Sequence, residues 1–111
     1  MFNEQEKSIL QKAIETYGVN AQIDVAVEEM AELTKALMKD RRGCTFSKDD
    51  LAVLVKCRIS IYDGIADALI MLEQIQMIFD CEEAVREIKE KKIQRLENRL
   101  REAQNEQSVQ Q

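Results

Sequence analysis

The chain has 111 residues, of which 45% are hydrophobic and 33% charged, with no proline, no histidine and three glycines. This length fits one domain, and the scarcity of aromatic residues and of β-branched runs argues against an all-β fold. Twenty-one acids against 16 bases give a net charge of −5, which offers no general attraction for nucleic acid. The absence of histidine excludes Ser-His-Asp triads, Cys-His dyads and imidazole-bound zinc, so catalysis would need other side chains or a hard metal.

The chain carries no sequence signal for a membrane or for export. No apolar run reaches about 18 residues, and the first ten residues, MFNEQEKSIL, lack the basic-then-apolar pattern of a signal peptide. Cys44, Cys57 and Cys81 are odd in number and widely spaced, which is typical of reduced core cysteines rather than a disulfide framework. We therefore expect a cytoplasmic protein that contacts neither membrane nor nucleic acid.

Apolar residues at helical spacing predict two helices in the first half of the chain. The first covers residues 2–17 and ends at Gly18, a residue suited to a helix C-terminus. The second covers 21–40, with Asn20 as its cap. Its predicted core stripe consists of Ile23, Ala26, Val27, Met30, Leu33, Thr34 and Leu37.

Two more helices are predicted in the second half. The third begins at the capping-box-like stretch 47–50 and runs to Phe79; it is apolar on nearly every side, and Gly64 divides or bends it. Asp80 caps the fourth, which runs to about Gln104 and leaves 105–111 as a polar, frayed tail. The fold class predicted is all-α, one domain over residues 1–104 that forms a four-helix bundle. Because so small a monomer leaves the third helix partly uncovered, we expect a homo-oligomer, a dimer or a tetramer.

Acidic residues interrupt the apolar stretches of the second and third helices. Glu29 and Glu32 lie about 60° apart on one helix, and Asp63 and Asp67 about 40° apart on the next. Carboxylates among apolar neighbours are costly unless they are paired or bind a metal. Their oxygens suit magnesium, which fills its other positions with water and phosphates. The alternative is that these acids are solvated and pair with lysines such as Lys35 and Lys39.

These stretches, VAVEEMAELTKALMK and DGIADALIMLEQIQ, resemble the two motifs of the all-α nucleoside triphosphate pyrophosphatases, the MazG-like superfamily. The resemblance covers roughly Ala21 to Leu100 and includes the basic stretch KKIQRLENRL. The first family motif, EExxE, is matched by Glu28, Glu29 and Glu32. The second, EExxD, is matched in part: Asp67 takes the aspartate position and Asp63 the first glutamate, but Gly64 stands where the family has a metal ligand.

The resemblance implies a magnesium-dependent hydrolase, with manganese as an alternative metal, that splits a nucleoside triphosphate into a monophosphate and pyrophosphate. It implies that Glu29, Glu32, Asp63 and Asp67 hold the metal and that Glu28 orients or deprotonates the attacking water. Basic residues of the fourth helix would steady the phosphates: Lys91, Lys92, Arg95 and Arg99. The alternative is that these basic residues lie on a solvated helix face with ion pairs between Glu87 and Lys91 and between Glu97 and Arg101.

Gly64 leaves the function open between alternatives. A glycine at this position allows another helix to pack closely or a nucleotide to bind there. Alternatively, the chain has lost the catalytic activity of the family together with the ligand. The chain could then bind a nucleotide without cutting it, as a sponge or sensor. A third alternative is a helical module that binds another protein through the surface of the bundle.

Overall fold

A computed structural model describes residues 1–44 and 50–110 of the chain, and it confirms the all-α prediction within them. Four helices follow one another: α1 (Glu4–Tyr17), α2 (Val19–Lys39), α3 (Leu51–Phe79) and α4 (Glu82–Gln110). A π-helical turn, Asp40–Cys44, extends α2. The described helices include none long and apolar enough to cross a membrane. The chain divides into two compact units, Met1–Phe79 and Asp80–Gln111.

The ends of α1 follow from its sequence. The Asn3 side chain accepts a hydrogen bond from the backbone N–H of Glu6 at 2.7 Å, and the Glu6 carboxylate accepts one from the N–H of Asn3 at 2.9 Å. This reciprocal capping box satisfies two amides that the first turn leaves unpaired. Gly18 ends the helix with φ +93°, a backbone conformation that favours glycine, so the predicted stop is confirmed.

The predicted cap of α2 and the predicted start of α4 are wrong. Asn20 lies inside α2, which begins at Val19 directly after Gly18. Asp80 adopts a left-handed conformation with φ +48° between α3 and α4, a conformation that a short acidic side chain tolerates. α4 then begins at Glu82 and continues to Gln110, past the predicted end at Gln104. The cap predicted at 47–49 lies outside the described residues; Asp50 does accept a hydrogen bond from the N–H of Val53.

The core of the first unit lies where α1, α2 and α3 meet, with most of the contact between α2 and α3. Leu10 and Ile14 of α1 are buried, while their neighbour Ile9 is exposed. The predicted stripe of α2 is confirmed in part: Ala26 is buried and Ile23 and Leu33 are half-buried, whereas Val27, Met30, Thr34 and Leu37 are exposed. Buried and half-buried positions recur along α2 at intervals of three and four residues: Gln22, Ala26, Glu29, Leu33 and Ala36.

α3 is one uninterrupted helix, so Gly64 does not divide it. Its buried face consists of Cys57, Ile61, Gly64, Ala68, Met71 and Gln74. At about 100° per residue, the opposite face carries large apolar side chains that remain exposed: Leu51, Val55, Ile59, Tyr62 and Leu69. Packing in the core therefore accounts for the apolar residues on only one face of α3. The unit buries one face of α3 and leaves the other in water.

The cysteines differ from one another. Cys57 is buried on α3 and is disulfide-bonded, whereas Cys81 is a free cysteine just before α4. The expectation that the cysteines are all reduced is therefore wrong for Cys57.

Candidate metal and nucleotide site

Three pairs of residues define how α2 and α3 face each other. Leu33 lies against Gly64, Glu29 interacts with Asp67, and the Arg58 Nε lies 3.7 Å from the Asp40 Oδ1. As the residue number rises along one helix it falls along the other, so the two helices are antiparallel. Glu29 lies between Ala26 and Leu33 on the α2 stripe that packs against α3. This register brings one acid from each predicted motif together.

Glu29 and Asp67 interact across the α2–α3 interface. Both are half-buried, and their carboxyl groups lie close enough to act on each other. The pKa of Glu29 is raised above its ordinary value of 4.5. Partial burial is the largest cause, followed by the charge of Asp67 and the hydrogen bond to it, and then by the charges of Glu28 and Glu32. Each of these disfavours the ionised form of Glu29.

The other acids assigned to the site lie at its rim. Glu28 and Glu32 are exposed on α2, close enough to Glu29 for their charges to raise its pKa. Asp63 is exposed on α3. At about 100° per residue it lies 100° from Gly64 on the packed face, whereas Asp67 lies 60° from it. Among the described residues, no three acids or cysteines converge closely enough to hold a metal ion by themselves.

Gly64 packs directly against α2. A Cβ built on it would lie 3.1 Å from Leu33 Cδ1 and 3.4 Å from Leu33 Cα. The glycine is therefore a point of close approach between the two helices, one of the alternatives that the sequence left open. Any larger residue, the glutamate of the family pattern included, would have to displace Leu33 or separate the helices.

The carboxylates of Glu29 and Asp67 are the type and number of protein ligands that a magnesium ion needs. Magnesium is often held by one or two carboxylates, with its remaining positions taken by water and substrate phosphates. Glu29 and Asp67 supply that number from opposite helices. A divalent cation would also relieve the repulsion that raises the pKa of Glu29. A closed cage of four carboxylates, as the resemblance implies, is not formed by the described side chains.

The basic residues assigned to phosphate lie on α4 in the other unit. Lys91, Lys92, Arg95 and Arg99 are all exposed there. Of the two ion pairs predicted for a solvated face of this helix, the structure contains the one between Glu97 and Arg101, in which Arg101 Nη2 donates to Glu97 Oε1 at 2.6 Å. This pair involves none of the four assigned basic residues.

Sequence reasoning missed the partner of Gly64 and the polar groups in the core. Leu33 appeared only as one of several core residues, and Gln22 and Gln74 were not singled out although both are buried. The signal for Gln22 and Leu33 is the spacing 22, 26, 29, 33, 36, which gives a continuous seam only if polar residues are counted with the apolar ones.

Comparison of the chain with protein-family models, with curated proteins and with solved structures finds no match.

Proposed function

We propose that the chain is a magnesium-dependent nucleoside triphosphate pyrophosphohydrolase of the MazG-like type, acting in the cytoplasm. The observation that carries the proposal is the pair formed by Glu29 and Asp67 between α2 and α3, with Glu28 and Glu32 beside it. Like charges held together in a partly dry interface cost stability, and a bound cation that bridges to phosphate is the usual compensation. The two acidic motifs of the sequence support the same conclusion.

Each residue has a role in this proposal. Glu29 and Asp67 would hold the magnesium. Glu32 and Asp63, at the rim, would accept hydrogen bonds from the water molecules bound to the metal. When bound, the metal lowers the pKa of water and neutralises phosphate charge. Glu28, exposed and next to Glu29, would orient the attacking water and accept its proton. The resemblance assigns the phosphates to basic residues that are exposed on α4: Lys91, Lys92, Arg95 and Arg99.

A second candidate, a relative that binds the nucleotide without cutting it, is favoured by the contact between Gly64 and Leu33. The glycine removes one carboxylate, and Leu33 occupies the space in which a replacement would have to fit. With two carboxylates, the site would depend on the nucleotide's own phosphates to complete the coordination of the metal. Binding of magnesium and triphosphate together would then survive while activation of water fails.

A nucleotide panel tests the two candidates. The chain is incubated with ribo- and deoxyribonucleoside triphosphates, with and without magnesium, and the release of pyrophosphate and monophosphate is measured. Hydrolysis that requires magnesium and falls about 100-fold or more in Asp67→Asn and Glu29→Gln supports the hydrolase. Asp24→Asn, an exposed acid on the same helix, is the matched control and should retain activity. Binding by calorimetry without turnover supports the second candidate; neither binding nor turnover contradicts both.

The proposal includes the homo-oligomer, which rests on the exposed face of α3. Leu51, Val55, Ile59 and Tyr62 are between 49% and 74% exposed. An open apolar groove of about 750 Å³ lies along the first part of this face. Apolar patches of this extent commonly mark protein contacts. Light scattering at micromolar concentration should show a dimer or a tetramer, and a compact monomer would contradict this part of the proposal.

A further inference from the structure

The helix α4 presents an apolar stripe that its own unit leaves uncovered. Every residue from Glu82 to Gln107 is exposed. The large apolar side chains among them are 40% to 60% exposed: Val85, Ile88, Ile93, Leu96 and Leu100. At about 100° per residue these five and Ala103 fall within an arc of about 140° on one side of the helix. Because isolated helices are marginally stable in water, a helix of 29 residues with such a stripe requires a covering surface.

The spacing of the stripe fits pairing with another helix. Ile93, Leu96, Leu100 and Ala103 follow one another at intervals of three, four and three residues, the pattern of positions a and d in a two-stranded coiled coil. Arg86 and Lys89 occupy the equivalent positions one heptad earlier. The close contact is therefore confined to the part of α4 from Ile93 onward. Because a seam of four positions is short, we test the association at micromolar concentrations.

The charges beside the seam differ on its two edges. Glu90 and Glu97 lie along one edge, at the e positions of the heptad. Lys92 and Arg99 lie along the other edge, at the g positions, and Glu106 follows them there. Beside Ile93, Leu96 and Leu100, one edge is therefore acidic and the other basic.

A second copy of α4 in parallel orientation matches this charge pattern. In a parallel pair, each g position faces the e position that follows it on the other helix, so Lys92 of each copy faces Glu97 of the other. In an antiparallel pair, g faces g and e faces e, which places Arg99 against Arg99 and Glu97 against Glu97 of the other copy. We propose that α4 is a self-association surface on which two copies of the chain pair in parallel through Ile93, Leu96, Leu100 and Ala103. This inference does not depend on the proposed hydrolase activity.

Charge reversal within the full chain tests the pairing. Lys92 and Glu97 are five residues apart and point about 140° away from each other, so they do not pair within one helix. Lys92→Glu sets two glutamates against each other in both symmetric contacts, and Glu97→Lys sets two lysines. Sedimentation equilibrium over 5 to about 100 μM at low salt should show the dissociation constant of each single variant raised about tenfold. The double variant, Lys92→Glu with Glu97→Lys, should return it to within about threefold of the wild type.

Matched controls separate pairing from effects on the helix itself. Lys91→Glu and Glu87→Lys make the same charge changes on the far side of α4 and should leave the dissociation constant unchanged. Glu97→Lys also removes the ion pair between Glu97 and Arg101. Circular dichroism at a concentration below the association range therefore measures whether this variant loses helix content on its own. Tighter association of either single variant would overturn the proposal, because parallel pairing sets like charges against each other in both. So would single variants that behave like their controls, or a double variant that fails to recover.

Discussion

The α2–α3 interface and α4 use the same acidic residue types in opposite surroundings. At the interface, Glu29 and Asp67 are half-buried and close together, and the pKa of Glu29 is raised. On α4, the acids are exposed and interspersed with bases, and Glu97 forms an ion pair with Arg101 at 2.6 Å. The first arrangement costs stability unless a ligand compensates for it, whereas the second costs almost nothing. Burial and neighbouring charge, rather than the presence of acids, therefore mark the candidate site.

The largest effect should come from Gly64→Glu, which overfills the α2–α3 contact. The new Cβ meets Leu33 at 3.1 and 3.4 Å, and the carboxylate adds to the charge near Glu29 and Asp67. We expect the free energy of unfolding to fall by about 2–3 kcal/mol, even though the helix propensity improves by about 1 kcal/mol. Denaturant titration measures the change. Gly43→Glu is the matched control, because no described residue lies within 4 Å of its Cβ position.

The same variant distinguishes packing from metal binding. If position 64 can act as a ligand when occupied, magnesium should restore much of the lost stability of Gly64→Glu. If magnesium leaves the variant destabilised, position 64 serves the contact with Leu33 alone. A variant as stable as the wild type without magnesium would contradict the close approach seen between the helices.

A smaller effect of opposite sign is expected at Gln74. This side chain is 3% exposed, and no described residue donates a hydrogen bond to its Oε1. Gln74→Leu should raise the free energy of unfolding by about 1 kcal/mol, because it removes an unpaired buried acceptor and keeps most of the volume. Gln76→Leu, a less buried neighbour on the same helix, is the control and should change stability by less. A loss of stability in Gln74→Leu would show that the amide has a partner, such as an ordered water.

The smallest effect is the pH dependence of stability, since Glu29 is only partly shielded from water. The pKa of Glu29 is raised in the folded chain, so the folded state holds its proton more tightly than the unfolded state. The resulting stabilisation is present below about pH 4.5, the ordinary value, and is lost as the pH rises through the raised value. Glu29→Gln should flatten this part of the profile of melting temperature against pH. Asp24→Asn should not, and equal profiles for all three proteins would contradict the interaction with Asp67.

The sequence predicted the helices well because apolar spacing and glycine stops act locally. Gly18 ends α1, and α3 runs to Phe79 as predicted. Asn20 was misplaced because a glycine with positive φ allowed α2 to begin one residue after α1 ended. The extension of α4 to Gln110 was missed because polar residues carry no periodic apolar signal.

The sequence singled out the two acids that meet at the candidate site, but it did not predict how the side chains around them are arranged. The spacing of acids on two consecutive helices identified Glu29 and Asp67. It did not show that Glu29 lies in the packed seam while Glu32 and Asp63 remain exposed, because the seam depends on which face of α2 meets α3. That choice is made by the contact of Gly64 with Leu33, which involves two residues 31 positions apart along the chain. No local pattern encodes such a contact.

The most direct test of the acid pair as a metal site is a magnesium titration of thermal unfolding near neutral pH. Magnesium should raise the melting temperature of the wild type, since a ligand that binds only the folded state stabilises it by ~1.4 kcal/mol at ten times its dissociation constant. Glu29→Gln and Asp67→Asn should abolish this response, whatever their own melting temperatures, and Asp24→Asn should preserve it. If both site variants respond to magnesium like the wild type, the pair does not hold the metal and the account of this site is wrong.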